Sequence, residues 1–95
     1  MNEPGLRSIS FFVPCLNEEG NVGRTIDNII RVTGELGLTY EILVVDDASM
    51  DATVAEVEQW QQKYPNVSLH LIRNPFCRGL GRNYFIAAQR ASYFY

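Results

Sequence analysis

Glu41-Ile42-Leu43-Val44-Val45 runs without a break into Asp46-Asp47-Ala48-Ser49-Met50-Asp51. Ile42–Val45 is a continuous block of β-formers, the pattern of a strand covered on both faces. The acidic loop starts at the residue where the apolar run stops. The same change occurs twice more. Ser8–Val13 gives way to Pro14-Cys15-Leu16-Asn17-Glu18-Glu19, and Ser68–Ile72 to Arg73-Asn74-Pro75-Phe76-Cys77-Arg78-Gly79-Leu80-Gly81. In a parallel sheet the three loops would share one edge, the crevice where open α/β sheets bind ligands.

Helical spacing fills the gaps between the runs. Val22, Ile26, Ile29, Ile30 and Leu36 recur on one helical face. Glu18 and Glu19 precede this face, where carboxylates complement a helix dipole, and Gly37 follows it as a C-terminal cap. Val54, Val57, Trp60 and Tyr64 mark a second helix, which Pro65-Asn66 ends. Thr53-Val54-Ala55-Glu56 matches a capping box, with Ser49 or Asp51 as caps one turn earlier. A third helix begins near Gly79–Arg82, with Leu80, Tyr84, Ala87, Ala88 and Ala91 as its apolar stripe. Pro14 is expected to stop the first strand, because proline cannot donate to a ladder. Met1–Arg7 reads as a frayed lead-in, and Tyr93-Phe94-Tyr95 as the first step of a fourth strand.

The order β-α-β-α-β-α, with crossovers of about 20 residues, predicts right-handed βαβ units. The expected fold is therefore α/β: a Rossmann-like three-layer α/β/α arrangement around a mostly parallel sheet. Residues 1–95 make one domain, a partial one if the aromatic end opens a further strand. Such an apolar edge would invite self-association.

Composition narrows the function. The hydrophobic fraction is 46%, ordinary for a globular chain, and the net charge is −3 without a basic run. This argues against nucleic acid as a partner. No apolar run approaches the roughly 20 residues that span a bilayer, and no signal-peptide pattern opens the chain. A cytoplasmic location is expected. Cys15 and Cys77 fit no zinc spacing and read as reduced, buried or half-buried bystanders. His70 alternates with Leu69 and Leu71, so it points away from its sheet face and receives no catalytic role.

Adjacent carboxylates at the end of a buried strand repel each other and lose hydration, so Asp46-Asp47 requires compensation. Capping of the next helix is one source, yet one cap would suffice and Asp51 is also present. The other is a ligand offering imide or ring N–H groups or ribose hydroxyls. Asn17-Glu18-Glu19 is either a plain helix start or a second wall of the same crevice. Arg78-Gly79-Leu80-Gly81-Arg82 places cations and glycine amides near a helix start, which suits a diphosphate. It is neither a dinucleotide fingerprint nor a Walker A loop, and a glycine turn with a solvated arginine is the plainer alternative.

Taken together, Phe12-Val13-Pro14-Cys15-Leu16-Asn17-Glu18-Glu19-Gly20-Asn21, then Tyr40 through Thr53, then Arg73-Asn74 with Arg78-Gly79-Leu80-Gly81, resemble the N-terminal half of family 2 glycosyltransferases. These are inverting enzymes of the GT-A fold, and the polyprenyl- or dolichyl-phosphate sugar synthases are the subgroup most resembled. The resemblance implies a nucleotide sugar, UDP- or GDP-linked, as partner. It places Pro14, Leu16, Asn17 and Glu18 at the base and ribose, and Asp46, Asp47 and Ser49 at the base edge and ribose hydroxyls. Arg78 and Gly79 fall on the sugar-diphosphate side. It also implies a divalent cation, Mg²⁺ or Mn²⁺, in the full enzyme. The family's metal-binding Asp-x-Asp and its catalytic base lie beyond the fourth strand, and neither is among these 95 residues. The expectation is therefore a nucleotide-binding half with no catalytic residue, no metal ligand and no transferase activity alone. Any membrane contact, at the inner face, would come through parts outside this stretch.

Two departures stand out. Leu16 replaces a frequent aromatic, and Ala48 a usual glycine, at a cost on the order of 1 kcal/mol if φ is positive there. Two other readings compete: a non-catalytic α/β binding module, and a phosphorelay receiver domain. The receiver would need an Asp after a later strand, where Arg73-Asn74-Pro75 stands.

Overall fold

The computed structural model describes residues 8–92. The expected lead-in and the aromatic start of a fourth strand lie outside them. Within them the order is β1 (Ser8–Cys15), α1 (Val22–Leu36), β2 (Thr39–Asp46), α2 (Thr53–Lys63), β3 (Leu69–Arg73) and α3 (Leu80–Arg90). The strands form one sheet in the order β1-β2-β3, with both pairings parallel. The register sets Cys15 beside Asp46 and Asp46 beside Arg73, so all three strands end level. The loops after them are therefore neighbours.

Each face of the sheet is covered. Val13, Cys15, Ile42, Val44 and Leu69 pack with Val22 and Ile26 of α1 and Val57 of α2. Leu43 and Val45 pack on the opposite side with Ala87 of α3. Alternate residues of β2 thus serve opposite cores, which explains its unbroken apolar run. The expected α/β/α layering is what the chain adopts.

Pro14 does not stop β1. The strand continues through Pro14, paired with Val45, to Cys15. The carbonyl of Cys15 accepts from the Asp47 N–H at 2.8 Å, so the backbone of Cys15 turns toward β2 and that of Pro14 turns away from it. Among the described residues β1 is the outermost strand on its side, and a proline facing away from the partner strand removes no bond of the β1–β2 ladder.

Helix faces differ in detail from the apolar periodicity. In α1 the buried positions are Val22, Gly23, Ile26 and Thr33, whereas Leu36 is exposed. The Thr33 hydroxyl donates to the Ile29 carbonyl at 2.6 Å, which lets a polar side chain sit inside. Gly37 adopts φ 66° and caps α1 as expected. In α3 the buried residues are Asn83 and Ala87, while Leu80 and Tyr84 are exposed. Tyr84 instead meets the Phe12 ring edge-on at 5.7 Å.

Candidate functional site

The loops after β1 and β2 are tied together by hydrogen bonds. Asn17 N–H donates to Ser49 Oγ at 2.9 Å, and Met50 N–H donates to Asn17 Oδ1 at 2.8 Å. Asn17 takes φ 53°, a left-handed conformation that asparagine tolerates. Glu18 N–H donates to Thr53 Oγ1 at 2.9 Å, and Glu19 N–H to Asp51 Oδ2 at 3.2 Å. In return, Glu19 Oε1 accepts from Ala52 N–H at 3.0 Å. The Thr53 hydroxyl also donates to Asp51, which holds the Asp51 carboxyl below its ordinary range.

Glu56 is not half of a capping box. Its carboxylate reaches across to the start of α1, accepting from Gly20 N–H at 2.7 Å and Gly23 N–H at 2.6 Å. Capping here is exchanged between two helices rather than supplied within each. Parallel strands whose ends are level bring both helix starts to the same edge, which makes the exchange feasible.

The third loop is fixed by Asp47. Its Oδ1 accepts from Arg78 N–H at 2.8 Å and from Asn74 Nδ2 at 2.9 Å, and its Oδ2 accepts from Gly79 N–H at 3.1 Å. Asn74 Nδ2 donates as well to Asn83 Oδ1 at 2.6 Å. The bond from Asn74 is the largest influence, followed by the Arg78 N–H, and the Asp47 carboxyl is pulled down from 3.8 to about 2. Asp47 therefore remains ionised at any physiological pH.

Between the loops lies a hollow of about 410 Å³, lined by Pro14, Cys15, Leu16, Glu18, Asp47, Gly79, Leu80 and Asn83. Five of the sequence-derived site residues meet there: Pro14, Leu16, Glu18, Asp47 and Gly79. The remaining four are placed differently. Asn17 and Ser49 join the first two loops to each other and are not part of the lining. Asp46 is 2% exposed, and its two oxygens accept from the N–H and hydroxyl of Ser49 at 3.1 and 2.5 Å. Its charge is compensated by its own loop. The Arg78 guanidinium lies 4.8 Å over the Phe76 ring, and only its backbone N–H engages the site. The amides of Arg78 and Gly79, expected beside a diphosphate, are donated to Asp47 instead.

The sequence reading named Asn74, Leu80 and Cys15 without making them site residues, and did not name Asn83. Asn83 carried a usable signal, because a polar residue on the buried face of a helix needs a partner. Cys15 is buried and hydrogen-bonded only weakly, by a 3.9 Å contact to the Val13 carbonyl. Burial first, and Asp46 next, push its thiol up to about 12, so it is inert as a nucleophile. Cys77 is exposed rather than half-buried, and its thiol donates to the Asp47 carbonyl at 3.2 Å.

Chemically, the hollow presents carboxylates at Asp47 and Glu18, and apolar surface at Pro14, Leu16 and Leu80. Such a lining accepts hydrogen bonds from N–H or hydroxyl groups while covering a flat apolar body. Among the described residues, no group of three or more His, Cys, Asp or Glu side chains is placed to hold a metal ion. These residues do not fit the cation that the family resemblance implies.

Comparison with known proteins agrees with this architecture. The chain aligns at 28% identity and a TM-score of 0.75 with the mannosyltransferase PcManGT from Pyrobaculum calidifontis, solved in complex with GDP-Man and Mn²⁺; 90% of this chain and 24% of that one are covered. It aligns with S. aureus TarS (1–349) at 25% identity and a TM-score of 0.68, again over 90% of this chain and 24% of that one. A dolichyl-phosphate beta-glucosyltransferase of Dictyostelium discoideum is 31% identical over 78 residues, 77% of this chain and 24% of that protein. A dolichol-phosphate mannosyltransferase of Pyrococcus furiosus is 38% identical over 60 residues, 60% of this chain and 16% of that protein. The chain thus spans at most about a quarter of the length of these relatives. The family described as "Glycosyl transferase family 2" matches residues 10–95, and the chain belongs to that family.

Proposed function

We propose that this chain is the donor-binding half of an inverting glycosyltransferase and that its hollow takes the nucleoside part of a UDP- or GDP-linked sugar. The observation that carries the reading is the meeting of Glu18 and Asp47 with Pro14, Leu16 and Leu80 around one cavity at the carboxyl edge of a parallel sheet. Asp47 keeps its charge and accepts from a base N–H or a ribose hydroxyl. The Glu18 carbonyl accepts from the Asn21 and Val22 N–H groups, both at 2.9 Å, while its carboxylate accepts no side-chain or backbone bond among the described residues and offers a second acceptor across the cavity. Pro14 and Leu16 pack against the base, and Gly79 marks the side where the diphosphate leaves the hollow. In the whole protein an acceptor oxygen would bond to the anomeric carbon as the bond to the diphosphate breaks. A polyprenyl phosphate is the acceptor suggested by the dolichyl-phosphate relatives. No helix among the described residues is long and apolar enough to cross a membrane, so a lipid-linked acceptor would be met through other parts of the protein.

Calorimetric titration of the chain with UDP-glucose and GDP-mannose, each with and without Mn²⁺ or Mg²⁺, tests the reading. Saturable binding of one donor, weakened by Glu18→Ala, is expected. No binding of either donor, or uptake of phosphate from acetyl phosphate as a receiver domain would show, overturns it. Isolated residues 1–95 should transfer no sugar, and measured turnover would contradict that assignment.

A further inference from the structure

Three buried polar side chains meet beneath the hollow from three different elements: Asp47 after β2, Asn74 after β3 and Asn83 in α3. They are 6%, 7% and 2% exposed. Asp47 and Asn83 line the cavity, whereas Asn74 does not. Yet Asn74 touches both, since its one amide nitrogen donates to Asp47 Oδ1 at 2.9 Å and to Asn83 Oδ1 at 2.6 Å. Its own backbone is pinned, with its N–H donating to the Asp46 carbonyl at 2.9 Å. The amide is thus aimed from the end of β3 by the ladder itself.

We infer that Asn74 is a positioning residue: its side-chain amide sets the direction of the Asp47 carboxylate and the orientation of the Asn83 amide that the nucleoside meets. The inference rests on the donor-binding reading above. Three donors fix the Asp47 carboxylate. With Arg78 N–H and Asn74 Nδ2 on Oδ1 and Gly79 N–H on Oδ2, the remaining acceptor capacity belongs mainly to Oδ2. Accepting from Asn74 through Oδ1 fixes which end of the Asn83 amide is the oxygen, and this leaves its NH₂ as the donor end. The hollow then offers one acceptor and one donor side by side, as recognition of a base edge by direct hydrogen bonds requires. Without Asn74, both groups turn.

The test is Asn74→Asp, which keeps the shape of the side chain but replaces its donor with an acceptor, compared with Asn74→Ala. Binding of UDP-glucose and GDP-mannose to the chain is titrated at pH 8 and pH 5.5, with circular dichroism recording folding at both. At pH 8 the new carboxylate at position 74 repels Asp47, and affinity should fall by about tenfold or more. Coupling raises the upper titration step of the carboxylate pair, so lowering the pH to 5.5 favours the state in which they share a proton, and affinity should rise from its pH 8 value for Asn74→Asp but not for Asn74→Ala. Glu18 and Cys15 across the hollow, Asp46 beside Asp47, and Cys77 and Arg78 on the third loop are common to all three proteins, so the comparison isolates position 74. Equal binding by wild type and Asn74→Asp at pH 8 overturns the inference and leaves donor binding standing. Affinity loss that follows loss of the folded signal also overturns it. No binding by the wild type overturns the donor reading, and the inference with it.

Discussion

Glu56→Ala should destabilise the chain far more than its place on a helix surface suggests. In wild type, the carboxylate accepts from Gly20 N–H at 2.7 Å and Gly23 N–H at 2.6 Å, both at the start of α1. No side chain within α1 caps that start, since Asn21 makes no capping bond. Truncation removes an acceptor worth about 1 kcal/mol as a cap. It also removes a negative charge at the positive end of a helix, worth about 0.3–1 kcal/mol. The total is about 1.3–2 kcal/mol, and in a domain of this size each kcal/mol moves the melting point by about 4–8 °C. A fall of about 5–16 °C in a thermal melt followed by circular dichroism is expected. Glu56→Gln should lose nearly as much, because its amide NH₂ would face one of the two N–H donors. Wild-type melting of Glu56→Ala, within about 2 °C, would refute the claim that α2 caps α1.

Further expectations follow from single positions. Gly23→Ala ought to stabilise an isolated helix by about 1 kcal/mol. Here the added methyl would meet Trp60 Nε1 and come within 2.6 Å of Glu56 Oε2, so urea unfolding should show destabilisation instead. Ala48 sits at φ 67°, a left-handed conformation that costs a non-glycine residue about 1 kcal/mol. Ala48→Gly should accordingly raise the urea midpoint, and a lowered midpoint would show that the strain is absent. The Asp47 carboxyl is held at about 2 against an ordinary 3.8, so it favours the folded state above pH 4, and that contribution fades as pH falls from there toward 2. Acid unfolding should therefore steepen in that window, and Asp47→Asn should flatten it.

The sequence alone carried the layers and the order of elements. Apolar runs with periods of two and of three to four residues report burial directly, and the Gly37 cap was legible because few residues suit the left-handed region, whereas the positive φ at Ala48 was raised only as a condition, through the glycine usual in the resembled family. It also brought the right loops to one edge, since parallel crossovers leave no other arrangement. What it could not show was which polar group answers which. Glu56 looks like a partner for Thr53 three residues away, but tertiary packing brings the start of α1 within reach and supplies unbonded N–H groups there. Of two adjacent aspartates, Asp46 turns inward to Ser49 while Asp47 gathers Asn74, Arg78 and Gly79. Strand pleating sends neighbours to opposite sides, but the register and the loops that pack around them choose their partners. Hydrogen-bond partners distant in sequence are set by the assembled fold, and that is where the division of labour within the hollow was decided.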